Sequence, residues 1–160
     1  MVSSHVLLGT YFKVNSCKVK IEAARTRPAR HRTPGMSDQN PPRASAKDIV
    51  REMFAAFGAQ DMDRVRELFA PDIVWQQAPG MPHGGRWVGF DEIAENVFGR
   101  FSRDWDDWRA QTDEFIAEGD TVVVLGRYTG TPKATGNYVE AAFAHVYRVK
   151  DGKVTRFDQH

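Results

Sequence analysis

The feature that most constrains the fold is a pair of long alternating runs near the C-terminal end, Thr121 to Thr129 and Asn137 to Lys150. Within the second, one parity holds Val139, Ala141, Phe143, His145, Tyr147 and Val149, and the other holds Glu140, Ala142, Ala144, Val146 and Arg148. Side chains of a strand alternate between two faces, so this pattern predicts a long strand with the first parity buried. Asp151-Gly152 then turns the chain into a further strand, Lys153 to His160, and the segment 108 to 118 starts one more. Strands of this length joined by short turns form an antiparallel sheet, and its apolar face has to be covered by the rest of the chain.

The preceding segment supplies the cover. From Ala46 onward Ile49, Val50, Met53, Phe54 and Phe57 follow three-to-four spacing, with Ser45 or Asp48 placed to cap the helix. Asp61 caps a second short helix, Met62 to Phe69, which Pro71-Asp72 stops, and a first strand follows at about Ile73 to Gln76. Asp91-Glu92 open a third helix through Ile93, Val97, Phe98 and Phe101, where their charge suits the helix N-terminus. Three helices interleaved with one strand, then several long strands, make an α+β arrangement in which a curved antiparallel sheet wraps around helices from the N-terminal half.

Charge divides the chain. Residues 1 to 35 carry seven Lys or Arg and one Glu, a net of +6, whereas the remainder carries fifteen basic and twenty acidic residues, a net of −5. Residues 21 to 46 are rich in Arg, Pro, Ser and Ala and lack a repeated apolar face, so a disordered leader is expected over residues 1–44, with the folded domain at 45–160. The abrupt change of charge also raises Met36 as the native start, which makes the leader spurious. Basic residues in the body are interspersed with acids, so nucleic acid is not an expected partner. No run approaches the roughly 18 apolar residues of a membrane span, so no membrane partner is expected. The single cysteine, Cys17, excludes an internal disulfide and fits a cytoplasmic location.

The stretches IVREMFAAFGAQDMDRVRELFAPDIVW, the G-x-x-x-G at 85 to 89 and AFAHVYRVKDGKVTRFDQH together resemble the SnoaL-like polyketide cyclase and ketosteroid-isomerase-related group of the NTF2-like superfamily. The resemblance covers about residues 45 to 160. It implies an NTF2-like cone, commonly dimeric, with a pocket between sheet and helices, and a range of isomerases, cyclases, hydrolases and non-enzymatic modules. An apolar or amphipathic small molecule and a homodimer are therefore the expected partners. Fold alone does not choose among these activities.

Tested position by position, the steroid-isomerase mechanism has no support. Its oxyanion tyrosine falls near Met53 and its general-base aspartate near Gln77, and neither a thioether nor a neutral amide can take those roles. The cyclase pattern implies a late-strand histidine and aspartate, for which His145 and Asp158 stand. The chain ends on that last strand, which leaves room for a site residue beyond His160.

From the residues themselves, His145 sits on an apolar strand face and requires a hydrogen-bonding partner or a cavity. His83, in the loop QQAPGMPHGG, is of a residue type whose near-neutral pKa suits proton transfer, and flanking Pro82 and Gly84-Gly85 can hold it over the mouth of a pocket. The catalytic candidates are thus His145, Asp158 and His83, and the ligand-binding candidates are Trp75, Gln77 and Tyr128. WDDW, residues 105 to 108, reads as a solvated loop. His83, His145 and His160 lack the short spacing of a metal site, and no phosphate-cradling glycine loop or HExxH is present, so neither metal nor cofactor is expected.

Overall fold

The computed structural model describes residues 44–160, so the leader and the expectations placed on it lie outside the described residues. Helix α1, Ala46–Ala59, starts at a reciprocal capping box. Ser45 Oγ accepts from the Asp48 N–H, and the Asp48 carboxylate accepts from the Ser45 N–H, both at 3.2 Å. Both candidate capping residues therefore act together. The helix buries Ile49, Val50, Met53 and Ala56, and Gln60 ends it in the left-handed region. Asp61 caps α2, Met62–Leu68, accepting from the Arg64 N–H at 3.0 Å.

Strand β1 spans Phe69–Gln77 and begins directly after α2, four residues earlier than the expected Ile73. Pro71-Asp72 stop the helix without excluding a strand, because pairing with the neighbouring strand is irregular between Phe69 and Val74, where a missing N–H costs little. A short strand β2, Gly85–Val88, which the sequence did not predict, pairs with β1. The third helical stretch consists of α3, Phe90–Ile93, a π-helical turn, Ala94–Phe98, and α4, Gly99–Asp104. It buries Ile93, Val97 and Phe101.

Strands β3, Trp105–Glu118, β4, Thr121–Pro132, β5, Val139–Lys150, and β6, Lys153–Gln159, complete a six-stranded sheet in the order β2-β1-β6-β5-β4-β3. The α+β cone is as expected, with the curved sheet unclosed. Every pair is antiparallel except β1 with β6, which run parallel. No hairpin joins those two strands, so nothing local forces them antiparallel. Asp151 and Gly152 both have positive φ, 51° and 76°, the turn that matches the twist of the β5–β6 hairpin.

Bulges in β3 and β6 decide which side chains face inward. In β3, Asp106 pairs with Thr131 but Arg109 with Thr129, leaving one extra residue near Asp107, whose φ is 52°. WDDW is therefore the bulged start of a strand and not a solvated loop. Trp105 and Trp108 both pack against the core, while Asp106 and Asp107 stay exposed. In β6, Val154 pairs with Val149 but Arg156 with Arg148, so Val154 and Phe157 both turn inward across an odd spacing. Strict alternation would put them on opposite faces.

The helices cover the inward face. Helix α1 lies across β3, β4, β5 and β6, and Phe54 meets Phe115 and Tyr147 edge-on at 5.7 and 6.0 Å. Phe98 of the π-helical turn meets Trp75 at 5.4 Å. Among the described residues no helix is long and apolar enough to cross a membrane.

Candidate functional site

His145 lies on the inward face of β5, 4% exposed, with Phe143 and Tyr147 two residues to either side on the same face. The predicted burial of this parity is thus observed. Its cross-strand partner on β6 is Gln159 and on β4 is Val124. Tyr128 reaches it diagonally from β4. The cross-strand partner of Phe143 is Gly126, which has no side chain, and a Cβ there would collide with the Phe143 ring and the Gln111 carbonyl oxygen. Phe143 therefore lies flat against His145 at 3.9 Å, with Tyr128 over it at 4.5 Å.

Both imidazole nitrogens are occupied. Nε2 meets the Tyr128 hydroxyl and Nδ1 lies 3.2 Å from the Tyr147 hydroxyl. One direction of the chain gives the Tyr128 proton an acceptor. Gln159 Nε2 donates to Tyr128 Oη at 2.8 Å, and Tyr128 has one proton of its own, which it gives to His145 Nε2. Nε2 is then an acceptor, so Nδ1 carries the proton and donates to Tyr147 Oη. Gln159 is held in turn by the Ala78 N–H, which donates to its Oε1 at 3.2 Å.

Burial sets the charge states. It pushes the imidazole of His145 down to about 3, so the ring is neutral at ordinary pH. Burial also pushes the Tyr128 phenol far above its ordinary value, with the Gln159 amide opposing only in part. Tyr147 moves upward for the same cause. The group is a neutral acceptor clamped by two neutral hydroxyls. It can pass protons by exchange, and it holds no fixed charge.

The remaining candidates occupy separate places. Trp75 stacks on Phe157 at 3.7 Å and donates its indole N–H to Gln77 Oε1 at 3.0 Å. Gln77, 2% exposed, ends β1 on the inward face. Asp158 lies on the opposite face of β6 from Phe157 and Gln159, where Arg156 binds it twice at 2.7 Å and lowers its pKa. The structure does not bring Asp158 to His145. The side chain of His83 is largely covered, packed edge-on against Phe101 at 5.3 Å and 3.4 Å from the Asp104 carboxylate. Burial lowers its pKa, with Asp104 opposing. From His83 a run of rings continues through Phe101, Trp108 and Tyr128 to His145, so the two histidines stand at opposite ends of it.

Among the described residues no three His, Cys, Asp or Glu side chains stand close enough to hold a metal ion. A surface groove of about 410 Å³, lined by Arg66, Phe69, Ala70, Pro71, Phe90 and Lys153, opens at the other end of β1 and β6 from Gln77 and Gln159.

The sequence pattern of the SnoaL-like domain matches residues 50–157. The chain belongs to the SnoaL-like family. Its fold is similar to an NTF2-like protein of Burkholderia thailandensis E264, at 36% identity and a TM-score of 0.71, over 74% of this chain and 91% of that one. An NTF2-like protein of Burkholderia pseudomallei K96243 is similar at 32% identity and a TM-score of 0.65, over 73% and 91%. TerC, crystallised with polyporic acid, is similar at 27% identity and a TM-score of 0.64, over 72% and 91%. Among curated proteins none matches.

In this SnoaL-like domain the sequence reasoning missed Gln159 and Tyr147 as members of the network. The signal for both was alternation: Tyr147 shares its parity with His145, and Gln159 shares its parity with Phe157. Trp108 stacks on Tyr128 at 4.7 Å.

The lowered pKa of His145 makes the SnoaL-like fold acid-sensitive in a definite window. The unfolded chain takes up a proton on this group below about 6.5, whereas the folded protein refuses it until about 3. Its contribution is therefore present above pH 6.5 and lost as pH falls toward 3, by about 1.4 kcal/mol per unit. Urea titrations at pH 7 and pH 5 should show wild type losing about 2 kcal/mol more than His145→Leu between the two. An equal loss in both proteins would contradict a neutral buried imidazole.

Proposed function

We propose that the protein binds a largely apolar small molecule between the helices and the inward face of the sheet, and that Tyr128 and His145 exchange protons with it. The observation that carries this reading is the buried Gln159–Tyr128–His145–Tyr147 chain set among stacked aromatic rings. Polar groups converging in an apolar enclosure are the usual make-up of a small-molecule site.

The chemistry that fits is proton abstraction next to a carbonyl, as in an isomerase or cyclase. A C–H proton leaves the ligand for Tyr128 Oη as the hydroxyl proton of Tyr128 moves to His145 Nε2. The ligand keeps the electron pair as an enolate, and the reverse movement returns a proton to another carbon. Basicity of His145 near 3 belongs to the buried site without a neighbouring charge. An enolate beside the imidazolium favours the charged form and raises it. Tyr128 touches the ligand, whereas His145 acts through Tyr128 and Gln159 orients the hydroxyl. Asp158, bound to Arg156 on the other face, takes no part, and His83 lies at the far end of the aromatic run.

A second reading, a non-catalytic binding module, is favoured by one specific observation. Both nitrogens of His145 already have tyrosine partners, so the imidazole is satisfied without a ligand. The cytoplasm is the proposed location. Homodimerisation is proposed through exposed apolar residues such as Ile116 and Tyr138, 48% and 66% exposed.

2-Tetralone in D2O separates the two readings. Wild type should accelerate deuterium uptake at the activated carbon, measured by mass spectrometry, and Tyr128→Phe or His145→Gln should reduce the acceleration by roughly 100-fold. Saturable binding without acceleration would leave only the binding module. Light scattering on the eluting protein should give twice 18.1 kDa; a monomer at high concentration would rule out the dimer.

A further inference from the structure

Among the described residues two buried side-chain polar atoms have no hydrogen-bond partner, His83 Nε2 and Trp87 Nε1. Both belong to the β1–β2 hairpin and its loop. A native structure leaves few such groups, and each calls for an explanation. Trp87 pairs with Trp75 across the hairpin, so its side chain shares the inward face. Its indole folds back over Gly85, with Nε1 3.6 Å from where a Cβ of that glycine would stand. Gly85 is in turn the cross-strand partner of Gln77. Directly opposite Cβ positions lie roughly 5 Å apart, so the register brings the indole N–H and the Gln77 side chain to the same end of the inward face.

The amide of Gln77 is oriented by Trp75. An indole nitrogen can only donate, so the Trp75 N–H fixes Gln77 Oε1 as the acceptor and turns the amide N–H2 away from it. That N–H2 group has no acceptor among the described residues. Position 77 therefore presents a donor where the resemblance would place a base.

We propose that Gln77 Nε2 and Trp87 Nε1 form a two-donor site for the carbonyl or enolate oxygen of the ligand. The proposal deepens the small-molecule reading above and rests on it, since it names the group by which the ligand is recognised. Both donors are neutral, so they suit a carbonyl oxygen, or one whose negative charge is spread by conjugation. Two such donors strengthen their bonds as charge develops on that oxygen, which would stabilise the enolate left by proton transfer to Tyr128. The site commits the ligand to an oxygen acceptor at the β1–β2 end and an apolar body along the aromatic run.

The test compares 2-tetralone with tetralin, which has the same ring system without the carbonyl. Wild type should bind the ketone roughly ten-fold more tightly, and the carbonyl stretch of bound 13C-labelled 2-tetralone should move to lower frequency than in buffer. Trp87→Phe keeps the ring and removes one donor; Gln77→Glu, measured where the carboxyl is ionised, keeps the acceptor for Trp75 and removes the other. Each should reduce the preference for the ketone by about five-fold and return part of the frequency shift. Near-ultraviolet circular dichroism checks that the variants keep the packed core. Equal binding of the two compounds by wild type, or a preference and frequency unchanged in both folded variants, would overturn the donor pair while leaving the pocket intact. Failure of both compounds to bind would overturn the pocket reading along with it.

Discussion

The clamp on His145 is the interaction on which the rest of the interior depends. An imidazole placed among stacked rings is costly unless both nitrogens are satisfied, and Tyr128 and Tyr147 satisfy them from two different strands. That requirement fixes neighbouring choices. Tyr128 leans across β4 where Gly126 leaves room for Phe143, and its hydroxyl accepts from Gln159 while its own proton goes to His145. Gln159 is anchored by the first residue after β1, so the network links β4, β5 and β6 to the end of β1.

Electrostatics gives the clamp its character. No formal charge is buried with His145, and burial moves the imidazole and both phenols in directions that keep all three neutral. The charged groups sit elsewhere, as the Arg156–Asp158 pair shows on the outer face of β6. A neutral relay in an apolar surrounding suits a ligand whose own charge appears only during reaction. The donors of Gln77 and Trp87 complement it, since they address the oxygen while Tyr128 addresses the proton.

Much of this was legible in the sequence. The parity of β5 placed His145 inside, the Asp-Gly turn placed β6 beside it, and the helical spacing of Ile49, Val50 and Met53 marked the cover. What alternation could not reveal was where it breaks. Bulges at Asp107 and after Val154 reset the faces of β3 and β6, and they turned WDDW from an expected loop into a strand with both tryptophans inward. Asp158 looked like a partner for His145 because both lie on late strands, yet it faces the other way. Short β2 was hidden because four residues carry too little periodicity, and Trp87 with it.

Nitrogen NMR of the His145 ring in the labelled, ligand-free protein tests the central claim most directly. A relay running from Gln159 through Tyr128 to His145 predicts a neutral ring with the proton on Nδ1 and none on Nε2, unchanged between pH 8 and pH 5. A proton on Nε2 would contradict the direction of the relay, and a ring that charges within that range would contradict the neutral clamp.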